Sequence, residues 1–284
     1  MTNTATGHPR VLRTIADVRA LPPRPRAVVM TMGALHEGHL SLMRAARELV
    51  GAQGDVLVTI FVNPLQFGAG EDFDRYPRQL QADLDACATV GVDAVFAPSG
   101  AQMYPAGAPQ TRVESGAAGL GLEADSRPGH FSGMLTVVLK LLAITAPDVA
   151  LFGEKDYQQL VLIRTMVADF NLPIDVVGVA TDREPDGVAR SSRNVYLSAD
   201  DRQRAAAIPR ALAAARKAGA TGADATGILD AAGAELAELD IDYLALRAPD
   251  LGPAPNRGEA RLLVAVRLGS TRLLDNCAVT VGTP

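Results

Sequence analysis

The chain has 284 residues, of which 48% are hydrophobic and 21% are charged, so it can bury a sizeable core and is not a disordered chain. Its net charge of −5 argues against nucleic acid as the main partner, although a local basic pocket for an anion is compatible with it. No apolar run reaches the roughly 18 residues that a membrane-spanning helix needs, and the length predicts about two domains.

The start of the chain and the cysteines indicate a cytoplasmic protein. The first thirty residues carry five Arg but no apolar core segment, so no secretory signal is predicted. Charge alone is compatible with an Arg-rich transit peptide, but Pro22, Pro23 and Pro25 interrupt any amphipathic helix there. Cys87 and Cys277 form neither a disulfide framework nor a zinc cluster and are expected to be small core residues.

Strand and helix patterns alternate through the first 179 residues. The run 55–62 (DVLVTIFV) is apolar and β-branched, which is typical of a parallel strand covered on both faces. The predicted strands are 26–30, 55–62, 94–97, 149–152 and 174–179, and the predicted helices are 40–50, 80–90, 131–144 and 157–170. This alternation predicts an α/β fold with a Rossmann-like, doubly wound parallel sheet.

Two segments of this region differ from the rest. Residues 99–129 hold six Gly and three Pro, which predicts a long loop that is either functional or disordered. Residues 131–144 are apolar on nearly all faces but too short to cross a bilayer, so we expect a buried helix or one at a subunit interface.

The pattern changes after about residue 180. Ser198 is a predicted N-cap, Ala-rich helices run to about residue 239 with a kink at Pro209, and strands follow at 243–247, 261–267, 272–274 and 278–281. Helices followed by strands predict a smaller α+β domain. We therefore expect a nucleotide-binding α/β domain at residues 1–179 and a C-terminal α+β domain at residues 180–284, which closes over the site.

The first motif with chemical content is TMGALHEGH at residues 31–39. His36 and His39 are three residues apart and can point the same way from a first helical turn, and Gly38 lets a ligand approach the backbone. A helix N-terminus with two imidazoles suits a polyphosphate and stabilises charge on a leaving pyrophosphate. A pair of surface histidines is the alternative, and the spacing does not fit a helical zinc site, which uses i and i+4.

A second motif, FVNPLQFG, occupies residues 61–68, after a predicted strand. Its Asn63 and Gln66 amides can bind a carboxylate or hydroxyl without competing as nucleophiles. A simple Asn-Pro turn is the alternative interpretation.

Two further motifs also follow predicted strands. In GEKDYQQ at residues 153–159, Lys155 can act as a point charge on phosphate, although a solvated charged turn has the same composition. In residues 183–194, two serines between Arg190 and Arg193 form an anion cradle or an ordinary turn. Ligands of open parallel sheets bind at the carboxyl ends of the strands, so we expect all four motifs at one edge. His130, which begins the apolar helix, either joins this site or caps that helix.

Together, T-M-G-A-L-H-E-G-H, F-V-N-P-x-Q-F, G-E-K-D-x-Q-Q and D-G-x-x-x-S-S-R-N resemble the signatures of the pantoate–β-alanine ligase family in order and spacing. The resemblance includes R-P-G-H-F and a late R-L-L-D-N, and H-x-G-H is shared with a wider nucleotidyltransferase superfamily. It implies that ATP and pantoate form pantoyl adenylate and pyrophosphate. The β-alanine amine then attacks the acyl carbon, which yields pantothenate and AMP.

The resemblance also implies roles for individual residues. The catalytic residues would be His36, His39, Lys155, Ser191, Ser192 and Arg193, with His39 assisting pyrophosphate departure. The ATP contacts would be Met32, Gly33, Ala34, Leu35, His36, Glu37, Gly38, His39, Gly153, Glu154, Lys155, Asp156, Asp182, Arg190, Ser191, Ser192 and Arg193. The pantoate and β-alanine contacts would be Met32, Gln66, His130 and Gln159.

The same resemblance implies a cytoplasmic homodimer whose partners are the small molecules ATP, pantoate and β-alanine, with no nucleic acid and no membrane. Mg²⁺ would bridge phosphate oxygens and take most of its ligands from water and substrate, with Asp83 as one candidate protein ligand. No other metal ligand is assigned.

Two positions depart from the family pattern, and two other functions compete. Met30 stands where the family commonly has Pro, and Arg190 stands where it commonly has Met, which predicts retained activity with altered ATP affinity. A nucleotidyltransferase that moves AMP onto a phosphorylated acceptor would leave Gln66 and Gln159 without a role. A non-enzymatic nucleotide-binding regulator is disfavoured because His36 and Lys155 are present.

Overall fold

A six-stranded parallel sheet organises the first part of the chain. The computed structural model describes residues 7–68, 70, 71 and 73–282. Residues 1–6, which are part of the N-terminal segment considered above for a secretory signal, lie outside the described residues. The strands are β1 (Arg10–Leu12), β2 (Arg26–Thr31), β3 (Asp55–Ile60), β4 (Ala94–Phe96), β5 (Val149–Gly153) and β6 (Asp175–Val179). Their order in the sheet is β1-β4-β3-β2-β5-β6, and every neighbouring pair is parallel. The predicted doubly wound parallel sheet is confirmed.

The helices of this region are α1 (Ile15–Arg19), α2 (Glu37–Val50), α3 (Leu80–Thr89), α4 (Gly100–Met103), α5 (Glu123–Ser126), α6 (His130–Thr145) and α7 (Tyr157–Asp169). Met43 and Ala46 of α2 are fully buried against Val29 and Val58 of the sheet. Full burial of a side chain such as Met43 or Val29 stabilises the fold by about 1.5–3 kcal/mol. Helix α6 is buried over most of its length within the chain, which agrees with the expected buried helix.

Three local predictions were wrong in this region. Strand β1 and helix α1 were missed because three and five residues are too few to show a hydrophobic period. The segment 99–129 is not a continuous loop, since it contains α4, α5 and a 3-10 turn at Ala117–Gly119. Ser99 is the N-cap of α4, and its hydroxyl accepts a hydrogen bond from the Gln102 amide at 3.2 Å.

The C-terminal region has helices α8 (Ala199–Arg204), α9 (Ala207–Ala220) and α10 (Ala225–Glu235), followed by strands β7 (Asp240–Arg247), β8 (Gly258–Leu268) and β9 (Thr271–Val281). The strands form an antiparallel sheet in the order β7-β8-β9, as expected for an α+β domain. Ser198 caps α8, as predicted, because its hydroxyl accepts from the Asp201 amide at 3.1 Å.

Two predictions in this region need correction. The strands predicted at 272–274 and 278–281 are one strand, β9, because Asp275 and Asn276 are buried within it and do not form a turn. Pro209 does not kink a helix, because α8 ends at Arg204 and a new helix, α9, begins at Ala207. Pro209 therefore lies in the first turn of α9, where a backbone N–H has no partner within the helix and is not needed.

The chain divides into two compact units. The first unit comprises Met1–Gly119, Arg127–Gly153 and Leu162–Val179, and the second comprises Leu120–Ser126, Glu154–Val161 and Ala180–Pro284. Two short segments that precede residue 180 therefore belong to the second unit. No helix in the described part of the chain is both long enough and apolar enough to cross a membrane.

Candidate active site

The first motif, residues 31–39, contains a tight turn between β2 and α2, just before H-x-G-H. Gly33 and Ala34 both have left-handed backbone conformations, with φ of 85° and 52°. The buried carboxylate of Asp83, on α3, accepts hydrogen bonds from the amides of Ala34 at 3.2 Å and Leu35 at 2.8 Å. A Cβ atom on Gly33 would lie 2.8 Å from Asp83 Oδ2, so the turn requires glycine there. Burial raises the pKa of Asp83, and the two backbone hydrogen bonds oppose that rise.

His36 and His39 lie together at the N-terminus of α2. His36 is the N-cap residue, and its ring centroid is 4.1 Å from that of His39. His39 Nδ1 accepts a hydrogen bond from the His36 amide at 3.3 Å, so in the neutral ring the proton is on Nε2. Glu37 and Gly38 form the first turn with His39, and the positive end of the helix dipole favours an anion here. The predicted clustering of the two histidines is therefore present.

The second motif folds into a 3-10 turn, Pro64–Gln66, directly after β3. Asn63 is almost fully buried and donates hydrogen bonds to Gln66 Oε1 at 3.0 Å and to the Gly133 carbonyl at 3.1 Å. Asn63 Oδ1 accepts from the hydroxyl of Tyr104 at 2.9 Å. The Asn-Pro turn thus exists, and it also fixes the orientation of the Gln66 amide.

The structure brings the first and second motifs together. Gln66 Nε2 lies 3.4 Å from the sulfur of Met32, because β2 and β3 are neighbours and end at the same edge of the sheet. Met32 also lines a cavity of about 370 Å³ within the first unit, together with Phe61, Pro64 and Asp83. That volume is in the range of small-molecule sites.

Helix α6 supports the second motif through close backbone packing. A Cβ atom on Gly133 would lie 2.0 Å from the carbonyl oxygen of Leu65, so only glycine allows this approach. His130 Nδ1 lies 2.9 Å from the carbonyl of Gln66. Helix α6 therefore contacts the Pro64–Gln66 turn through Gly133 and through His130.

A charged pair holds His130 in place. Arg127 Nη1 lies 3.1 Å from His130 Nε2, and the same guanidinium makes two hydrogen bonds to Glu71, at 2.8 and 2.6 Å. The hydrogen bond from Arg127 lowers the pKa of Glu71, so this carboxyl group stays ionised. His130 is thus placed against the main chain of Gln66.

The third motif begins at the end of β5 and continues into the second unit. Glu154–Asp156 forms a 3-10 turn, and Lys155 Nζ lies 3.6 Å from Asp156 Oδ1. Gln159 is half-buried in the first turns of α7. The adjacent Gln158 is buried, and its side chain accepts from the Glu123 amide at 3.1 Å and donates to the Gly121 carbonyl at 3.3 Å.

The fourth motif is a short hairpin followed by a 3-10 helix. The Glu184 amide donates to the Val188 carbonyl at 2.8 Å, and Ser191 caps the 3-10 helix Ser192–Tyr196 by accepting from the Arg193 amide at 3.2 Å. Arg190 Nε lies 2.9 Å from Asp182 Oδ2. The added guanidinium is therefore neutralised by Asp182, the residue directly before this motif.

The structure gives Asp83 a positioning role, and its candidacy as a magnesium ligand stays a prediction. Both carboxylate oxygens accept backbone hydrogen bonds, so Asp83 holds the turn of the first motif. Within the described residues, no group of three or more His, Cys, Asp or Glu side chains is arranged to hold a metal ion. Mg²⁺ commonly keeps several waters and binds through substrate phosphates with one or two carboxylates, which is compatible with these residues.

Sequence reasoning missed the contacts that orient the site. Asp83 contacts residues 34 and 35 from 48 or more positions away, and Tyr104 reaches Asn63 across 41 positions, so no local pattern reveals either contact. Arg127 gave a weak signal, because it precedes His130 in R-P-G-H-F.

Fold and motifs together define a class of protein: a Rossmann-like nucleotide-binding enzyme with an H-x-G-H loop at a helix N-terminus. The family profile for pantoate–β-alanine ligase matches residues 9–278. The chain is 57% identical to a pantothenate synthetase of Mycolicibacterium smegmatis, over 94% of this chain and 85% of the relative, and 54% identical to one of Nocardia farcinica, over 97% and 86%.

Solved structures agree with the sequence comparisons. A pantothenate synthetase from Thermus thermophilus has a TM-score of 0.89 and 45% identity, covering 94% of this chain and 98% of that one. A pantoate–β-alanine ligase from Francisella tularensis, complexed with β-γ ATP and β-alanine, has a TM-score of 0.78 and 36% identity, covering 95% and 97%. The chain belongs to the pantoate–β-alanine ligase family. Its activity is the ATP-dependent ligation of pantoate to β-alanine.

Proposed function

We propose that the ligation proceeds through a pantoyl adenylate. The pantoate carboxylate attacks the α-phosphorus of ATP, and the bond to the β-phosphate oxygen breaks, which releases pyrophosphate. The β-alanine amine then attacks the acyl carbon, the bond to AMP breaks, and the amine loses a proton. A free carboxylate is a poor acyl donor, and adenylation supplies the missing leaving group. The enzyme then needs positioning and charge stabilisation and does not need a nucleophile of its own.

The observation that carries the proposal is the contact between Met32 and Gln66 beside the histidine-bearing helix N-terminus. An amide suited to an acid and a helix end suited to polyphosphate thus follow two neighbouring strands, β3 and β2, which supports the proposal. Gln66 would hold pantoate and lie near β-alanine, while Met32 would contact both pantoate and ATP.

In the first unit, His36 and His39 would bind the ATP phosphates. The Nε2–H of His39 would donate to the departing pyrophosphate, because its Nδ1 already accepts from the His36 amide. The surrounding backbone would complete this phosphate contact; its residues are Gly33, Ala34, Leu35, Glu37 and Gly38. His130, which contacts the Gln66 carbonyl, would lie beside the substrate acids.

In the second unit, Lys155 would contact phosphate as a point charge. Ser191, Ser192 and Arg193 would add hydroxyl and guanidinium donors from the capped 3-10 helix. Gln159 would hold pantoate. The remaining proposed ATP contacts are Gly153 (the last residue of β5), Glu154, Asp156, Asp182 and Arg190. We assign nucleotide and pantoate binding mainly to residues 1–179, with residues 180–284 as the smaller domain.

Mg²⁺, the assembly and the compartment complete the proposal. Mg²⁺ would enter with ATP and supply charge neutralisation to the phosphate oxygens, while the two histidines and Lys155 bind the phosphate chain. The enzyme would act as a homodimer in the cytoplasm, with pantoate as its acid substrate.

Pantoate-dependent exchange of labelled pyrophosphate into ATP, without β-alanine, tests the proposal. Exchange is expected only when pantoate is present, because the adenylate must form reversibly. His39→Ala should lower the exchange rate about 10²-fold, since it removes a donor to the leaving group. His8→Ala, at a histidine whose side chain is 66% exposed, is the matched control and should leave the rate unchanged.

ATP binding without any exchange would contradict the proposed intermediate. Transfer of AMP onto a phosphorylated acceptor in the same assay would identify the competing nucleotidyltransferase reaction.

A further inference from the structure

The late motif R-L-L-D-N, residues 272–276, has no role in the proposed reaction. It lies in the middle of β9 in the second unit, with Asp275 2% and Asn276 3% exposed. Buried polar side chains inside a strand are costly unless they are fully hydrogen-bonded, so their partners indicate what they do.

Asn276 is bonded to the turn that carries Lys155. Its Nδ2 donates to the carbonyl oxygens of Glu154 at 2.9 Å and Lys155 at 2.8 Å. Its Oδ1 accepts from Arg261 Nε at 2.7 Å. The two carbonyls and the guanidinium admit only one orientation of the amide, with nitrogen towards the turn.

Arg261 ties the same turn a second time. Its Nη2 lies 3.1 Å from Glu154 Oε2, and its guanidinium stacks 4.1 Å above the ring of Tyr157. The side chain of Arg261 is only 13% exposed, so these contacts are partly shielded from water. The turn at 154–156 is therefore held from two neighbouring strands, β8 and β9.

The residue before Asn276 acts in the same way on the fourth motif. Asp275 accepts two hydrogen bonds from Arg183, at 2.6 and 3.0 Å, and Arg183 Nη1 also donates to the Gly187 carbonyl at 2.9 Å. Successive residues of a strand point to opposite faces, so one strand reaches two segments of the site.

We propose that Asn276 is a positioning residue for ATP binding, which fixes the main chain of Glu154 and Lys155 so that the Lys155 ammonium meets phosphate. The proposal rests on the proposed contact between Lys155 and ATP. A lysine side chain has many rotamers, and anchoring its main chain through two carbonyls restricts where its ammonium can reach.

The test is a double-mutant cycle on ATP–pyrophosphate exchange with Asn276→Ala, Lys155→Met and the double variant. Asn276→Ala should raise the KM for ATP about tenfold and leave the KM for pantoate within about twofold. In the Lys155→Met background, Asn276→Ala should raise the KM for ATP less than about twofold, because the anchored group is already absent.

Cys277→Ala is the matched control. Cys277 is the next residue of β9, equally buried, and its sulfur faces the Leu212 carbonyl of α9. This variant should lower the melting temperature without changing the KM for ATP, which separates positioning from loss of stability. Asn276→Asp, which keeps the acceptor for Arg261 and loses the donor, should reproduce the effect of Asn276→Ala.

Three outcomes would overturn the proposal. An unchanged KM for ATP in Asn276→Ala, beside a raised KM in Lys155→Met, would refute the positioning role alone. Independent, multiplicative effects in the double variant would show that Asn276 acts elsewhere. An unchanged KM for ATP in Lys155→Met would refute the proposed phosphate contact itself, and the positioning role with it.

Discussion

The two units of the chain place their polar side chains differently. In the first unit, β2 and β3 are mostly apolar along their length, and the chemically useful groups, such as His39 and Gln66, follow where the strands end. In the second unit, β9 carries Arg272, Asp275 and Asn276 within the strand itself. A parallel sheet that is covered on both faces has its polar groups at the carboxyl ends of its strands. In the small antiparallel sheet, side chains within the strands hydrogen-bond to segments that precede the sheet in the chain.

The largest effect is expected at Arg272, which bonds the segment Leu120–Ser126 to the rest of the second unit. Arg272 donates to both oxygens of Glu123 at 2.7 Å and to Asp242 at 2.7 Å, and Tyr243 also donates to Glu123. Arg272→Met would remove the guanidinium that pairs with the largely buried Glu123 and would leave Asp242 with only the partly exposed Arg267 as its cation. We expect urea unfolding to show a loss of about 3–5 kcal/mol.

Arg267→Met is the control for Arg272→Met. Arg267 contacts the same Asp242 at 3.1 Å, but its side chain is 48% exposed. Its loss should cost less than about 1 kcal/mol. Equal losses of unfolding free energy in the two variants would contradict the prediction that buried ion pairs of this sheet stabilise the unit more than exposed ones.

Asp83 offers the corresponding change in the first unit. Asp83→Asn keeps one acceptor but directs an amide N–H₂ towards one of the two backbone amides that the carboxylate now satisfies. The free energy of unfolding should fall by about 1–3 kcal/mol. The KM for ATP should rise, because the turn before His36 loosens.

Asp85→Asn on the same helix is the reference for Asp83→Asn. Its side chain is 57% exposed, and the change should be nearly neutral in urea unfolding. An Asp83→Asn variant as stable as the wild type would show that the turn is held by its glycine backbone alone.

The Asp242 network also predicts a pH dependence. Burial raises the pKa of Asp242, but the hydrogen bonds from Ser126 and Arg272 outweigh it and bring the pKa from 3.8 to about 2. The stabilisation is therefore complete above about pH 4 and is lost as the pH falls towards 2. The difference in unfolding free energy between wild type and Asp242→Asn should shrink by about 1–2 kcal/mol over that interval. A difference that is constant with pH would contradict a depressed pKa.

The smallest effect is expected at Arg190, where the family commonly has Met. Its guanidinium lies 2.9 Å from Asp182 and 3.8 Å from Glu184, so it adds little net charge to the fourth motif. Arg190→Met should change the KM for ATP by less than about threefold, measured by pyrophosphate exchange. A tenfold change would show that the proposed contact of Arg190 with ATP is stronger than its pairing with Asp182 allows.

The two units also differ in how well their strands could be predicted from the sequence. Runs such as 55–62 predicted the parallel sheet, because an apolar strand covered on both faces has a pattern of its own. The same reasoning split β9 in two, because Asp275 and Asn276 resemble a turn until their partners Arg183 and Lys155 are known.

The site shows the same division. Its chemical groups follow strands and are visible as motifs, and the contact between Met32 and Gln66 follows from adjacent strands. The groups that orient them, such as Asp83 and Tyr104, come from distant positions and carry no local signal. Residues that act through tertiary contacts are therefore the part that sequence patterns cannot supply.

The contact at Gly133 has a consequence for substrate choice. The main chain of α6, a helix of 16 residues, leaves no room for a methyl group beside Leu65. The Pro64–Gln66 turn is therefore packed directly against the backbone of this helix. The main chain of Gln66, the proposed pantoate contact, cannot move to fit a differently shaped acid without displacing a helix that is buried over most of its length. Selectivity at this position would then come from stiffness, and not from the number of hydrogen bonds that an acid can make.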